Sequence, residues 1–190
     1  LPHHWMNSTD TTVTGMRYAT LLGAMKVRTG NTFTTRIRFN GIVPQFPEPR
    51  DAGWSRSMLA TLAEQISGID TAKSDTYWHS KDIERLARVI PALDAAGLIA
   101  KRNELLDNVE DALIDMFTYT PGETAHFFAY NAAWGALFGF QESYGSVTYI
   151  TDHQFHYGML AYSAAILGLY RPSFVVSYGA IVDKVIREYN

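Results

Sequence analysis

Tyr144-Gly-Ser-Val-Thr-Tyr-Ile-Thr-Asp-His-Gln-Phe-His-Tyr-Gly158, continuing as Met159-Leu-Ala-Tyr-Ser-Ala-Ala-Ile-Leu-Gly-Leu-Tyr170, is the segment on which the fold turns. It predicts a loop that feeds a helix over Asp152 to Leu169. Asp152 and His156 stand four residues apart, so on a helix they share one face. A carboxylic acid and an imidazole presented together among tyrosines suit proton transfer better than core packing. Thr151 followed three residues later by Gln154 also reads as a capping box, with Asp152 at the first helical position, where it favours the dipole. The two readings are compatible, because a helix N-terminus at a loop edge can present a side chain.

Outward from this segment the pattern stays helical. Ser55 to Ile66 puts Met58, Leu59, Leu62, Ala63 and Ile66 on one stripe. Lys81 to Ala96 does the same with Ile83, Leu86, Ala87, Ile90, Leu93 and Ala96, although Pro91 should kink or shorten it. Lys101 to Phe117 and Ser173 to Glu188 complete the helical set, the latter set off by Arg171-Pro172. Phe127 to Phe140 is expected to be extended or irregular. Upstream, Thr32-Phe-Thr-Thr-Arg-Ile-Arg-Phe39 alternates as a half-buried strand does, and Arg28-Thr-Gly-Asn31 reads as a hairpin turn between two strands. Gly41-Ile-Val-Pro-Gln-Phe-Pro-Glu-Pro49 stiffens the chain and marks a boundary. The expected organisation is therefore a β-rich segment over 1–50 and a helical region over 51–190.

Composition narrows the function classes. Charged residues make up 18% of the chain, below the usual ~25%, while four Trp, eleven Tyr and ten Phe supply many flat amphipathic rings. That balance suits neutral, hydroxyl-rich ligands such as glycans. A net charge of −3 without a basic stripe argues against a nucleic-acid partner. No apolar run reaches the ~18–20 residues a spanning helix needs, so a membrane partner is not expected. The absence of Cys removes thiolate chemistry and fits an exported, extracellular enzyme. Leu1-Pro-His-His-Trp5 lacks the features of a signal peptide, and the chain reads as an interior piece of something longer.

The candidate chemistry-bearing residues are few. Asp152 is the acid and His156 its neighbour; Tyr77, Trp78, Tyr130, Trp134 and Tyr157 are candidate sugar-stacking platforms whose plainer role is packing. A general acid must hold its proton near the working pH, whereas a helix N-terminus favours the carboxylate. A second carboxylate close by is the usual remedy. Glu142 is nearest in sequence, with Glu123 and Glu110 less suited. A metal set of Asp152, His153 and His156, helped by His3 and His4, is an alternative, but it lacks the His-x-x-x-His spacing of zinc proteases. No cofactor is implied.

Tyr149-x-x-Asp152-His-Gln-Phe-His-Tyr-Gly158, followed by Ala161-Tyr-Ser-Ala-Ala-Ile-Leu167, closely resembles the Asp-His-His-Phe-His-Tyr-Gly block of glycoside hydrolase family 81, the inverting endo-1,3-β-glucanases. Phe128-Ala-Tyr-Asn-Ala-Ala-Trp-Gly135 resembles that family's Tyr-Asp-x-x-Trp-Gly-Gly segment, and Tyr77-x-x-x-Lys81 the opening of its helical domain. The resemblance implies a mainly α fold: the first part of an (α/α)6 barrel, preceded by a short β-rich segment from an adjoining α/β domain. It implies Asp152 as general acid and His156 as a required neighbour. Tyr77, Tyr130, Asn131, Trp134, His153 and Tyr157 are then substrate-binding, and the implied partners are a β-1,3-glucan and the rest of the polypeptide. Asn131 stands where the family has Asp, Gln154 where it has His, Thr151 where Asn is common, and Ala136 in place of a second Gly. The family's Glu-Ser-x-Ser-Glu type segment has no counterpart here, so the base is expected outside this chain and the piece alone is expected to be inactive. The competing expectation is a non-catalytic glucan-binding or scaffold domain; a third is an unrelated helical-barrel lyase or hydrolase.

Overall fold

The structure, a computed structural model, describes residues 1–8, 12–36, 55–73 and 75–189. The chain divides into two compact units, Leu1–Val43 and Pro44–Asn190.

In the first unit a short helix, α1 (Pro2–Asn7), accompanies an antiparallel pair, β1 (Val13–Thr20) and β2 (Gly23–Arg28). The reversal falls at Leu21-Leu22, between the paired residues Thr20 and Gly23, and not at Arg28 to Asn31 as the sequence pattern suggests. Local chemistry explains the difference. The Thr20 hydroxyl accepts from the Leu22 N–H at 3.2 Å and donates to the Gly23 carbonyl at 2.8 Å, while Gly23 takes φ +98°, which a side chain would oppose. Of the expected strand Thr32 to Phe39, residues 32–36 form only an isolated bridge, Ser8 to Thr35; the remainder and the boundary at 41–49 lie outside the described residues.

The second unit is helical with one hairpin: α2 (Arg56–Ser67), α3 (Thr76–Ala95), α4 (Ile99–Phe117), β3 (Phe127–Asn131), β4 (Ala136–Phe140), α5 (His153–Tyr170) and α6 (Pro172–Arg187). Helix α3 begins five residues before the expected Lys81, because the Asp75 carboxylate accepts from the N–H groups of Tyr77 and Trp78 and caps the new turn. It also runs through Pro91 to Ala95, with Pro91 buried. The α3–α4 turn closes through the N–H of Leu98 on the Leu93 carbonyl and that of Gly97 on Asp94, with Gly97 at φ +68°. This double bond is the Schellman arrangement, and it places α4 back along α3.

Phe127 to Phe140 takes the extended one of its two expected forms, as a regular hairpin. Its register runs from Phe127 opposite Phe140 to Asn131 opposite Ala136. The Asn131 side-chain oxygen accepts from the N–H groups of Ala133 and Trp134, an Asx turn that the apolar pattern alone does not reveal. Helix α5 is apolar on most sides and packs against α3, α4 and α6. The core joins Ile83, Leu86, Ile90 and Leu93 of α3 to Leu105, Val109 and Leu113 of α4 and to Tyr157, Leu160 and Leu167 of α5. Arg171, between α5 and α6, pairs with Asp107 and Glu110 and so ties that junction to α4. No helix among the described residues is long and apolar enough to cross a membrane.

Candidate functional site

The helix that carries Asp152 starts one residue later than the capping-box reading requires. Asp152 itself is the N-cap of α5, with φ 61° and ψ 12°, and its side chain makes no capping bond. The Thr151–Gln154 box is therefore not formed: Asp152 sits in the left-handed region, which reverses the chain before the helix and leaves no N-cap geometry for Thr151. The Asp152 carbonyl still accepts from the N–H groups of Phe155 at 2.9 Å and His156 at 3.2 Å. The carboxylate is held at the head of the helix and is not occupied by the helix.

The delivering loop is strained. Of the four non-glycine residues with positive φ among the described residues, three lie between Tyr144 and Asp152: Tyr144 at 55°, Ile150 at 52° and Asp152 at 61°. For a β-branched residue such as Ile150 this conformation is a real outlier, and backbone strain of this kind concentrates at functional sites. Glu142 fixes the loop's near end, accepting from the Thr148 N–H at 2.9 Å and hydroxyl at 2.8 Å. The backbone N–H bond from Thr148 holds the Glu142 carboxyl below its ordinary value.

The loop and the heads of α3 and α5 converge on a pocket of about 300 Å³ lined by Tyr77, Trp78, Tyr144, Asp152, Phe155 and His156. Its walls are a chain of edge-to-face rings, Tyr77 on Trp78 at 5.3 Å and Tyr77 on Tyr144 at 5.0 Å. Lys81 leans over the Trp78 ring, its Nζ 4.7 Å from the centroid. His156 is fully buried and forms the floor, with Tyr77 5.4 Å away edge-on. Its Nδ1 lies 2.8 Å from the Thr76 hydroxyl, and its Nε2 is buried without a hydrogen-bond partner among the described residues. Burial pushes the His156 imidazole below its ordinary pKa, against the opposing pull of Asp152. The floor is neutral.

The structure thus brings Tyr77, Asp152 and His156 together and adds Trp78, Tyr144 and Phe155. Phe155 carries a readable signal, since positions 152, 155 and 156 share one helical face. Tyr144 carries none, because a positive-φ loop delivers it. The remaining expected contacts lie elsewhere. Tyr157, expected to line the cleft, is fully buried: its hydroxyl donates to the Leu137 carbonyl at 3.1 Å and accepts from the Gly139 N–H at 3.0 Å, docking the hairpin on α5. His153 is buried too, with Nδ1 at 3.2 Å from Glu188 and Nε2 at 2.7 Å from the Ser146 carbonyl. Helical geometry explains both, since these positions turn from the pocket toward the hairpin and α6. Asn131 is spent on its Asx turn, while Tyr130 and Trp134 are exposed at that hairpin's end and outside the pocket lining. Lys184 covers the Tyr130 ring at 4.1 Å.

Asp152 is the one carboxylate among the pocket's lining residues. Glu142 is committed to Thr148, Glu110 to Arg171, and Glu123 to the Thr120 N–H at 2.8 Å. Among the described residues no group of three or more His, Asp or Glu side chains gathers to hold a metal. A second cavity of about 530 Å³, between the α2–α3 connection and α4, contains the stacked pair His79 and His126, ring centroids 4.0 Å apart. His79 is held at about pKa 4 by burial and by the charge of His126.

The helical unit thus presents one carboxylate in a ring-walled pocket. Residues 55–190 match the family described as "Glycosyl hydrolase family 81 C-terminal domain". The chain is 37% identical, over its whole length, to a glucan endo-1,3-beta-D-glucosidase of Thermobifida fusca (strain YX), and covers 25% of that protein. It is 32% identical, over 98% of its length, to a glucan endo-1,3-beta-D-glucosidase of Acetivibrio thermocellus, of which it covers 24%. A solved structure of a mutant glycoside hydrolase family 81 protein from Clostridium thermocellum superposes with a TM-score of 0.69 at 34% identity, covering 97% of this chain and 26% of that one. This chain belongs to glycoside hydrolase family 81, and it spans about a quarter of the length of the relatives it matches.

Proposed function

We propose that the chain is the acid-bearing part of an endo-1,3-β-glucanase that works with inversion. The observation that carries this reading is the placement of Asp152: half-buried, at a strained helix head, in one pocket with a neutral imidazole and the rings of Tyr77, Trp78 and Tyr144. Pyranose rings pack their C–H faces on such aromatic rings, and a carboxylic acid at the rim can protonate a departing glycosidic oxygen. Inversion also needs a base about 6.5–9.5 Å from the acid, with a water between it and the sugar. With one carboxylate in the pocket lining, that base comes from another part of the longer polypeptide. The helices α2 to α6, which alternate around a shared core, are the first part of an (α/α)6 barrel whose remaining helices cover exposed apolar positions such as Leu169 and Val176. The β-rich unit ends an adjoining domain.

The test is hydrolysis of laminarin by the full-length protein, followed by proton NMR of the first-formed reducing ends. The proposal expects the α-anomer to appear first and mutarotate to the β-anomer. Initial β-anomer would overturn inversion, and inertness toward 1,3-β-glucan would overturn the substrate class. The single carboxylate in the lining also favours a second reading, a glucan-binding domain without turnover. That reading expects laminarin binding with no new reducing ends.

A further inference from the structure

The bond between Thr76 and His156 joins residues 80 positions apart, and it sits beneath the pocket floor. Thr76 is the first residue of α3 and is 1% exposed. Its backbone is fixed at both ends: its N–H donates to the Gln141 carbonyl at 2.9 Å, and its carbonyl accepts from the Ser80 hydroxyl at 2.6 Å. Its hydroxyl meets Nδ1 of His156 at 2.8 Å and has no other hydrogen-bond partner among the described residues. A neutral imidazole carries one N–H and one lone pair, so two arrangements are open.

If Nδ1 carries the hydrogen and donates to Thr76, the Thr76 hydroxyl hydrogen is buried with no acceptor. Nε2 is then a bare lone pair, also buried without a partner. If the Thr76 hydroxyl donates to Nδ1, both of those atoms are satisfied and the single group left over is Nε2–H. Unmade hydrogen bonds in a buried site are costly, so the second arrangement is the stable one.

We propose that Thr76 is a positioning residue that fixes His156 in the Nε2–H tautomer, leaving the imidazole behind the pocket no free lone pair. This rests on the glucanase reading of the pocket. It has a chemical consequence. An imidazole whose one lone pair is engaged by Thr76 cannot take a proton, which leaves Asp152 as the pocket's proton-transfer group. Thr76 acts through His156 and touches no substrate itself.

Two measurements on the full-length protein test the idea. Neutron diffraction from deuterium-exchanged crystals should show deuterium on Nε2 of His156, none on Nδ1, and the Thr76 O–D directed at Nδ1. Deuterium on Nδ1 overturns the proposal, whether or not the protein cleaves glucan; the map therefore stands apart from the fate of the glucanase reading. In kinetics, Thr76→Ser keeps the hydroxyl and should leave kcat and KM within about twofold of the parent. Thr76→Val keeps the shape and removes the donor, leaving Nδ1 unpaired; it should lower the melting temperature modestly and, assayed where the protein is folded, lower kcat by about tenfold or more. Parental kcat in a folded Thr76→Val protein contradicts the role. Should that variant fail to fold, the neutron map decides alone.

Discussion

Lowering the pH should loosen the α3–α4 region through His79. This imidazole is 2% exposed, its Nδ1 meets the Thr71 carbonyl at 2.6 Å, and its Nε2 is buried without a partner among the described residues. Its pKa is lowered from 6.5 to about 4, first by burial and then by the charge of His126 stacked on it. The sign follows from proton counting: between those values the opened chain takes up a proton that the folded one refuses. The contribution is whole above pH 6.5 and is lost progressively as the pH falls toward 4. At about 1.4 kcal/mol per pH unit, the full span amounts to roughly 3 kcal/mol, and the descent from neutrality to pH 5 to roughly 2. Hydrogen exchange at α3 amides, corrected for intrinsic rates, reads this as a fall in local opening free energy. His79→Asn keeps a donor near the Nδ1 position and removes the titration. Its baseline will shift, but its slope between pH 6 and 4.5 should be shallower than the parent's by about 1 kcal/mol per pH unit. Parallel slopes in the two proteins would refute the reasoning.

Two packing predictions test how the hairpin is seated. Tyr157→Phe deletes a hydroxyl that serves both Leu137 and Gly139, leaving a buried N–H and a carbonyl unpaired. A loss of about 1–3 kcal/mol is expected in denaturant unfolding, and a loss within error would place Tyr157 outside the core it defines here. Gly139→Ala puts a methyl group 2.8 Å from Thr76 Cγ2 and 3.1 Å from the Phe128 ring. Overpacking of this kind costs about 1–3 kcal/mol, and because Thr76 must move, glucan turnover should fall along with the melting temperature. An unchanged melt would mean that the hairpin can slide away from α3.

The parts of the fold that could be read in advance are those that depend on periodicity. The stripes of Ser55 to Ile66 and Lys101 to Phe117 match α2 and α4 closely. Burial of one face accounts for α4, whereas in α2 Met58 and Leu62 of the stripe are exposed and the Ser55 side chain caps the start. What could not be read depends on single polar contacts. The start of α3 rests on the Asp75 cap, the β3–β4 turn on the Asn131 side chain, and the β1–β2 turn on the Thr20 hydroxyl. None of these changes the apolar pattern. The site divides in the same way. Asp152, His156 and Tyr77, singled out by residue type and spacing, line one pocket, while Tyr157 and His153 sit in the same motif yet face the hairpin and α6. A motif names its residues without saying which side of the helix each one serves. Thr76 is invisible to such reasoning, since its importance lies in a contact across 80 residues.

The central claim is that Asp152 supplies the proton. Its backbone, in the left-handed region at φ 61°, suits Asn as well as Asp, so Asp152→Asn should retain the loop, the pocket and the fold. With the full-length protein and laminarin, the variant should melt with the parent and bind the glucan, yet lose on the order of 10²–10⁴ in kcat. A folded Asp152→Asn protein that cleaves laminarin at the parental rate would contradict the account.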